Sequence, residues 1–437
     1  MPPQNRLYSL LIVVIFLMYA IGRVASSLPA LNQPRVLADT TAYLRISRQP
    51  IQDSRFWGES RPLVFPLLLK ITKQDIGLTA MLQLGLSILA WGFLALMIAS
   101  SMKFPRLQLF ALSLILLFSL DRHIAGWDFV MMTESLSISF LVLFIAVCLW
   151  LLQGWHTGKV VALFVTAFFL AFTRDTNAWL LLALSGLILF GVVLRWVGFR
   201  ALILPASFVF IFFISNANAN TGHRWVFPLG NLIGRRILTD ETATKFFKSC
   251  GMPVSPALLR LSGGFANAED RAMYNDPELE SFRNWLGKDG KSCYVRWLIA
   301  DPVHSINETL KEFENLIAFS EVDRFFSGSF DPLMPVKLGR FLYPERFALW
   351  IWGYSTLAAL IALWKRPWRE NPLWAVFICL NLLVFPHLFL TWHGDAMAPE
   401  RHALSVGVQL YLSFWMLNIL LIDYAWRRKL TTSVDIP

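Results

Sequence analysis

The residues able to do chemistry in this chain stand at the edges of long charge-free runs. Asp39, Arg45 and Arg61 follow the first run, and Asp121, His123, Asp128 and Glu134 lie between the third and fourth. Arg174 and Asp175 separate two further runs, and His393, Asp395, Glu400, Arg401 and His402 precede the last. Four separate stretches of sequence therefore offer carboxylates, imidazoles and guanidinium groups. A carboxylate in such a place can take a proton from a hydroxyl as a general base. A guanidinium fork stays charged and binds phosphate oxygens in pairs. Together they suit a reaction on a polar head group carried by a lipid. The same residues also have plainer roles open to them. Asp39 suits a helix start, Glu134 the positive end of a helix dipole, and Arg61 can simply reach towards lipid head groups. Arg174 and Asp175, being adjacent, could pair at a tight turn.

Composition sets what must position these groups. The 437 residues are 56% hydrophobic and only 16% charged, against about 25% charge in an ordinary soluble domain. The mean hydropathy is +0.53. A soluble globular enzyme is excluded, and so is a disordered chain, which needs low hydrophobicity. What remains is an all-α polytopic membrane protein. Charge-free runs cover 7–22, 76–102, 135–158, 176–194, 201–222, 347–364, 371–394 and 403–422. Each is near the roughly 17–25 residues a helix needs to cross the hydrocarbon core. Two shorter runs, 107–120 and 160–173, start beside Arg106 and Lys159, which can snorkel while the apolar part crosses.

Parity favours about ten transmembrane helices. With the N-terminus inside, the inner loops hold Arg6, Lys103 with Arg106, Lys159, Arg195 with Arg200, Lys365 with Arg366 and Arg369, and Arg427-Arg428-Lys429. Every short inner loop is then basic, as the positive-inside rule requires. This predicts a multi-pass protein of the plasma (inner) membrane with both termini cytoplasmic and an uncleaved first helix. The candidate residues then share the extracytoplasmic face. Much of the net charge of +10 is accounted for by topology, and its scatter over loops gives no stripe for nucleic acid. Membrane lipids are the expected surroundings. No charged residue falls near the middle of any span so drawn, which counts against an ion-coupled transporter.

Two sizeable outer segments follow, about 26–75 and 220–346. The second reads as helical pieces joined by turns. One helix is predicted over 277–286, and another after Asp301-Pro302 with apolar positions Ile306, Leu310, Phe313, Leu316 and Ile317. That segment carries Cys250 and Cys293, for which a disulfide and two free buried thiols are both open. Cys148 and Cys379 lie inside spans and read as packing residues. No zinc-type spacing exists. The 393–402 loop has enough ligand types for a divalent metal without matching a metal motif, so a cofactor is possible but not required.

The first outer loop reads Leu37-Ala38-Asp39-Thr40-Thr41-Ala42-Tyr43-Leu44, followed by Arg61-Pro62-Leu63-Val64-Phe65-Pro66-Leu67. It resembles integral membrane glycosyltransferases of the C type, the GT-C superfamily. Their first outer loop carries an acid a few positions before a Tyr, then a Pro-containing stretch entering the next helices. Met132-Thr133-Glu134-Ser135-Leu136 is similar to the opening of that family's fourth helix, and Phe172-Thr173-Arg174-Asp175-Thr176 to its turn between the fifth and sixth. The group looked most like is that of protein mannosyltransferases and lipid A aminoarabinose transferases. Thr40 stands where the mannosyltransferases often have a second acid.

The resemblance implies a seven-span GT-C-like catalytic module over 1–220, a mostly helical extracytoplasmic segment over 221–346, and three C-terminal helices with a short tail over 347–437. It implies inverting transfer of a sugar from a polyprenyl-phosphate-linked donor on the outer face. Asp39 would be the base. Arg61, Arg174 and Arg401 would hold the lipid phosphate, and Tyr43, Glu134, Asp175 and Glu400 would contact substrate. The acceptor is left open among glycan, lipid-linked saccharide, lipid and protein. A flippase or transporter, a polymerase or ligase of lipid-linked saccharides, and a non-catalytic scaffold remain as other readings.

Overall fold

In lipid a chain must satisfy its own backbone groups, and each charge-free run accordingly becomes a helix. The computed structural model describes residues 3–266, 273–318, 322–326 and 330–434; the side chains of 3–6 and 429–434, hence of Arg6 and Lys429, lie outside that description. In chain order the helices of 14 residues or more are α1 (Pro3–Leu31), α2 (Ile76–Ser100), α3 (Pro105–Phe118), α4 (Glu134–Leu152), α5 (Thr157–Ala171), α6 (Asp175–Val193), α7 (Ile203–Thr221), α8 (Ala348–Lys365), α9 (Leu373–Trp392) and α10 (Leu404–Val434), with shorter ones between them. Eight of them are long and apolar enough to cross a membrane. The other two stand at the two short runs. With 14 and 15 residues, α3 and α5 are about 21–23 Å long at 1.5 Å per residue, short of a hydrocarbon core of about 30 Å. After a 60° bend, α3 leads into Arg122–Phe129.

The helices α2 and α4 pack along one another, as do α6 with α7 and α9 with α10. α4 and α10 are the most enclosed, whereas α1 lies mostly at the periphery. No strand forms among the described residues, only an isolated bridge between Arg35 and Val130.

Two expectations are corrected at α1. The helix does not end at Gly22 but continues to Leu31, and Arg23 inside it is buried. So a span does contain a charge. It is tolerated because Arg23 pairs with Asp128 and donates to the Ser119 carbonyl (2.6 Å) and Ser87 Oγ (3.1 Å). Asp128 in turn accepts from Ser135 Oγ at 2.6 Å. Hydrogen bonds on every side offset the cost of burying the charges. Asp128 is therefore only 1% exposed and is not part of an open outer mouth.

The segment between α7 and α8 divides between two cores. Leu229 to Trp297 contribute a cluster of their own, joined by Ala396. Phe313, Leu316, Ile317, Met334 and Tyr343 pack into the main core of the bundle instead. Helical backbone runs through 277–300, and Asp301 caps Pro302–Lys311 by accepting from the His304 amide at 3.0 Å. Cys250 and Cys293 are bonded in this lobe, with Cα atoms 6.0 Å apart and 43 residues of sequence separation. Cutting such a loop is expected to cost about 2–4 kcal/mol, confined to the lobe. Reduction should raise the hydrogen exchange of 229–297 while α4 and α10 stay protected; uniform exchange changes would contradict the division.

Candidate active site

The local chain explains how the two principal acids come together. The strand-like turn ahead of α4 is tied to the loop ahead of a short helix, Ala38–Arg48: the Arg35 amide donates to the Phe129 carbonyl (2.7 Å), and the Met131 amide to the Arg35 carbonyl (2.9 Å). Thr40 Oγ1 accepts from the Leu37 amide and donates to the Met131 carbonyl, at 3.0 and 2.9 Å. Asp39 lies in the first turn of that helix, and Glu134 opens α4.

Three arginines join them. Arg61 donates to Asp39 at 2.7 Å, and Arg401 reaches the other oxygen of Asp39 at 3.3 Å. Arg401 Nε lies 3.3 Å from Glu134 Oε1, a charge contact without hydrogen-bond alignment. Arg174 donates to the same Glu134 oxygen at 2.6 Å and to the His402 carbonyl at 3.3 Å. The chain Arg61–Asp39–Arg401–Glu134–Arg174 thus places three guanidinium groups against two carboxylates, leaving one positive charge. Glu134 opens α4, Arg174 immediately precedes α6, and Arg401 stands just before α10. Three helix N-termini, where the dipoles are positive, meet at this cluster.

Exposure separates the two acids. The Asp39 side chain is 30% exposed and that of Glu134 only 1%, so a substrate can approach Asp39. Glu134 Oε2 is buried with no hydrogen-bond partner among the described residues. Burial pulls the Arg401 guanidinium down in pKa, but Glu134 and Asp39 more than offset this and hold it charged. His402, by contrast, is kept well below the ordinary histidine range by burial and then by Arg401, Arg174 and Arg61. It is a neutral imidazole among fixed charges. Tyr43 packs edge-on to Phe65 with Arg61 5.6 Å over its ring, and burial raises the pKa of its phenol.

Other sequence candidates go elsewhere. Asp175 does not pair with Arg174 but takes a double contact from Arg224, at 2.8 and 3.0 Å. Glu400 turns to Arg324 at 2.6 Å. Arg45 meets Glu59 at the surface. Asp121 and His123 form their own pair, 2.6 Å apart, with His123 stacked on Tyr343. His393 hydrogen-bonds with Tyr294 and Thr309, and Asp395 with Asn231. The ligand types of the last loop are therefore spread apart, and among the described residues no three His, Cys, Asp or Glu gather to hold an ion.

Arg23, Arg224 and Arg324 are not among the residues that the sequence singles out for the site. Only Arg23 left a signal, as a lone charge between two apolar stretches. Phe325, 6.0 Å from the Arg401 guanidinium, left none. A cavity of about 370 Å3 opens at Asp121, His123 and Tyr343, and one of about 640 Å3 at Glu312, Trp350, Trp392 and Glu400. None of the five cluster residues lines either cavity; the larger includes Glu400, the sequence neighbour of Arg401.

No family model matches this chain, and no curated protein does. Among solved structures it is similar to the archaeal oligosaccharyltransferase AglB from Archaeoglobus fulgidus, determined in complex with an inhibitory peptide and a dolichol-phosphate. The identity is 12% and the TM-score 0.45; the match covers 100% of this chain and 53% of that one, so the chain spans about half its length.

Proposed function

We propose that the protein is a membrane glycosyltransferase that moves a sugar from a polyprenyl-phosphate-linked donor to an acceptor hydroxyl on the extracytoplasmic face. The reading is supported by one observation above others, the linked cluster of Asp39, Glu134 and three arginines. In an inverting displacement the acceptor oxygen bonds to the anomeric carbon as its bond to phosphate oxygen breaks. The acceptor proton goes to a base, and the departing phosphate gains negative charge. Asp39, the exposed acid, suits the base. Arg61, Arg174 and Arg401 suit the phosphate, where preset positive groups lower the barrier most. Both oxygens of Asp39 face guanidinium groups. A donor phosphate that draws Arg61 or Arg401 to itself leaves one of those oxygens open to the acceptor proton. Glu134, buried between Arg174 and Arg401, then keeps these two arginines in place.

Tyr43 bounds the site beside Arg61, and Asp175 and Glu400 brace it through Arg224 and Arg324. The reading puts the cluster outside the plasma membrane and both termini inside, in keeping with the basic loops on the opposite ends of the helices. A flippase would need charges along a path through both leaflets. The Arg23–Asp128 pair is closed in by Ser87, Ser119 and Ser135, which makes it a pin rather than a path.

Lipid-linked sugar profiles of cells with and without the chain test the reading. Loss of the protein should make one polyprenyl-phosphate sugar accumulate while one envelope glycan lacks a single residue, which names the sugar. Unchanged profiles would overturn it.

A further inference from the structure

The groove of about 640 Å3 at Glu400 is built differently from the arginine cluster. It begins at Glu400, whose neighbour Arg401 holds Asp39. Phe347 and Trp350 line it at i and i+3 around the start of α8, and they are 65% and 78% exposed. Glu312 and Asn315, joined by a 3.0 Å hydrogen bond, also line it. So does Trp392, whose indole N–H is buried with no hydrogen-bond partner among the described residues. Arg236 lies flat on the Trp392 ring, 3.3 Å from its centre, which fixes that ring.

We propose that this groove binds the acceptor and that the acceptor is a neutral or amine-bearing saccharide; the proposal rests on the transferase reading above. A sugar ring has an apolar C–H face and a rim of hydroxyls. The faces match two neighbouring exposed aromatic rings, which carry large contact area at low conformational cost. The hydroxyls match carboxylate acceptors and a spare indole donor, since bonds to charged groups are the strong ones.

Charge decides between kinds of saccharide. Glu345 and Glu400 at the groove already hold arginines. Glu314 accepts only from the Ala348 and Leu349 amides, and Glu312 from Asn315. Among the described residues neither has a basic partner; Arg346 also lines the groove, so against it the two leave a surplus of one carboxylate, which disfavours an anionic acceptor. The arginine cluster attracts the anionic donor, and the two substrates are thereby sorted.

The test uses the full-length protein in lipid nanodiscs and equilibrium dialysis. The probes are a cello-oligosaccharide, a chitosan oligomer and an oligogalacturonate of equal length, with a Gly-Ser peptide as the fourth. The first two should bind, and the oligogalacturonate about tenfold more weakly, a difference of about 1.4 kcal/mol. Trp350→Ala should weaken the neutral sugar by about tenfold, as expected for loss of one stacked ring. Glu312→Gln should weaken the amine-bearing oligomer while the neutral one still binds. Binding of the peptide alone, or of no saccharide, overturns the proposal. So does saccharide binding indifferent to Trp350→Ala, because the exposed rings would then be membrane anchors. Binding of polyprenyl phosphate, lost in Arg174→Gln, is measured on the same samples. If the lipid phosphate binds and the sugars do not, only the groove assignment falls; if the sugars bind and the lipid phosphate does not, the donor reading falls.

Discussion

Asparagine in place of Asp39 is expected to lower kcat for transfer by about 10²–10⁴-fold, the usual contribution of a positioned general base. The substitution keeps the size of the side chain but cannot take up a proton. Its effect on the donor should run the other way. With Asp39 neutral, three guanidinium groups face only Glu134, so the attraction for a lipid phosphate rises. The KM for donor should therefore stay level or fall while kcat collapses. A structural cap gives the opposite pattern, because misplaced Arg61 and Arg401 would raise KM. Steady-state kinetics in nanodiscs separate the two, since a change in kcat alone reports an interaction made in the transition state. Unchanged kcat would reduce Asp39 to the first-turn acid of a short helix.

The second large effect is on stability. Asp128→Ala strands the buried Arg23 and is expected to destabilise the bundle by about 3–5 kcal/mol, the cost of breaking a buried ion pair from one side. Arg23→Met should do similar harm from the other side, as it leaves Asp128 uncompensated. Combining Arg23→Met with Asp128→Leu removes both charges and should restore most of the loss, since apolar replacements of buried pairs are often neutral. Denaturation curves of the three variants in one detergent give the coupling energy directly. Strictly additive losses would show that the pair is not coupled. The same pair holds the turn from which Phe129 and Met131 bind the Arg35 backbone. The single variants should thus also loosen the spacing between Asp39 and Glu134.

Hydropathy is a local property, which is why the places of the ten helices were readable from sequence. The lengths of α3 and α5 were readable for the same reason. Contacts are not local. Asp39 and Arg401 stand 362 positions apart, and nothing in either segment announces the other. Arg23 looked like the end of a span because the carboxylate that neutralises it lies 105 residues away. Adjacent residues at helix starts misled for a geometric reason, since neighbours on a helix point in different directions. Arg174 and Asp175 therefore serve Glu134 and Arg224 separately, and Arg401 and Glu400 diverge towards Asp39 and Arg324. All five residues that assemble stood among the charged groups read at the helix ends; which of them pair with which was not legible.

The two short helices bear on how a lipid could reach this site at all. α5 ends at Ala171, close to Arg174, and α3 ends at Phe118, close to Asp121. A helix shorter than the surrounding hydrocarbon draws the bilayer in around itself. On the transferase reading, the leaflet beside α5 would be dimpled towards Arg174, and a lipid phosphate at the head-group level would descend to it without leaving its lipid neighbours. On that same reading, membrane thickness becomes a variable of transfer: thicker bilayers should deepen the dimple at an elastic cost, and thinner ones should erase it.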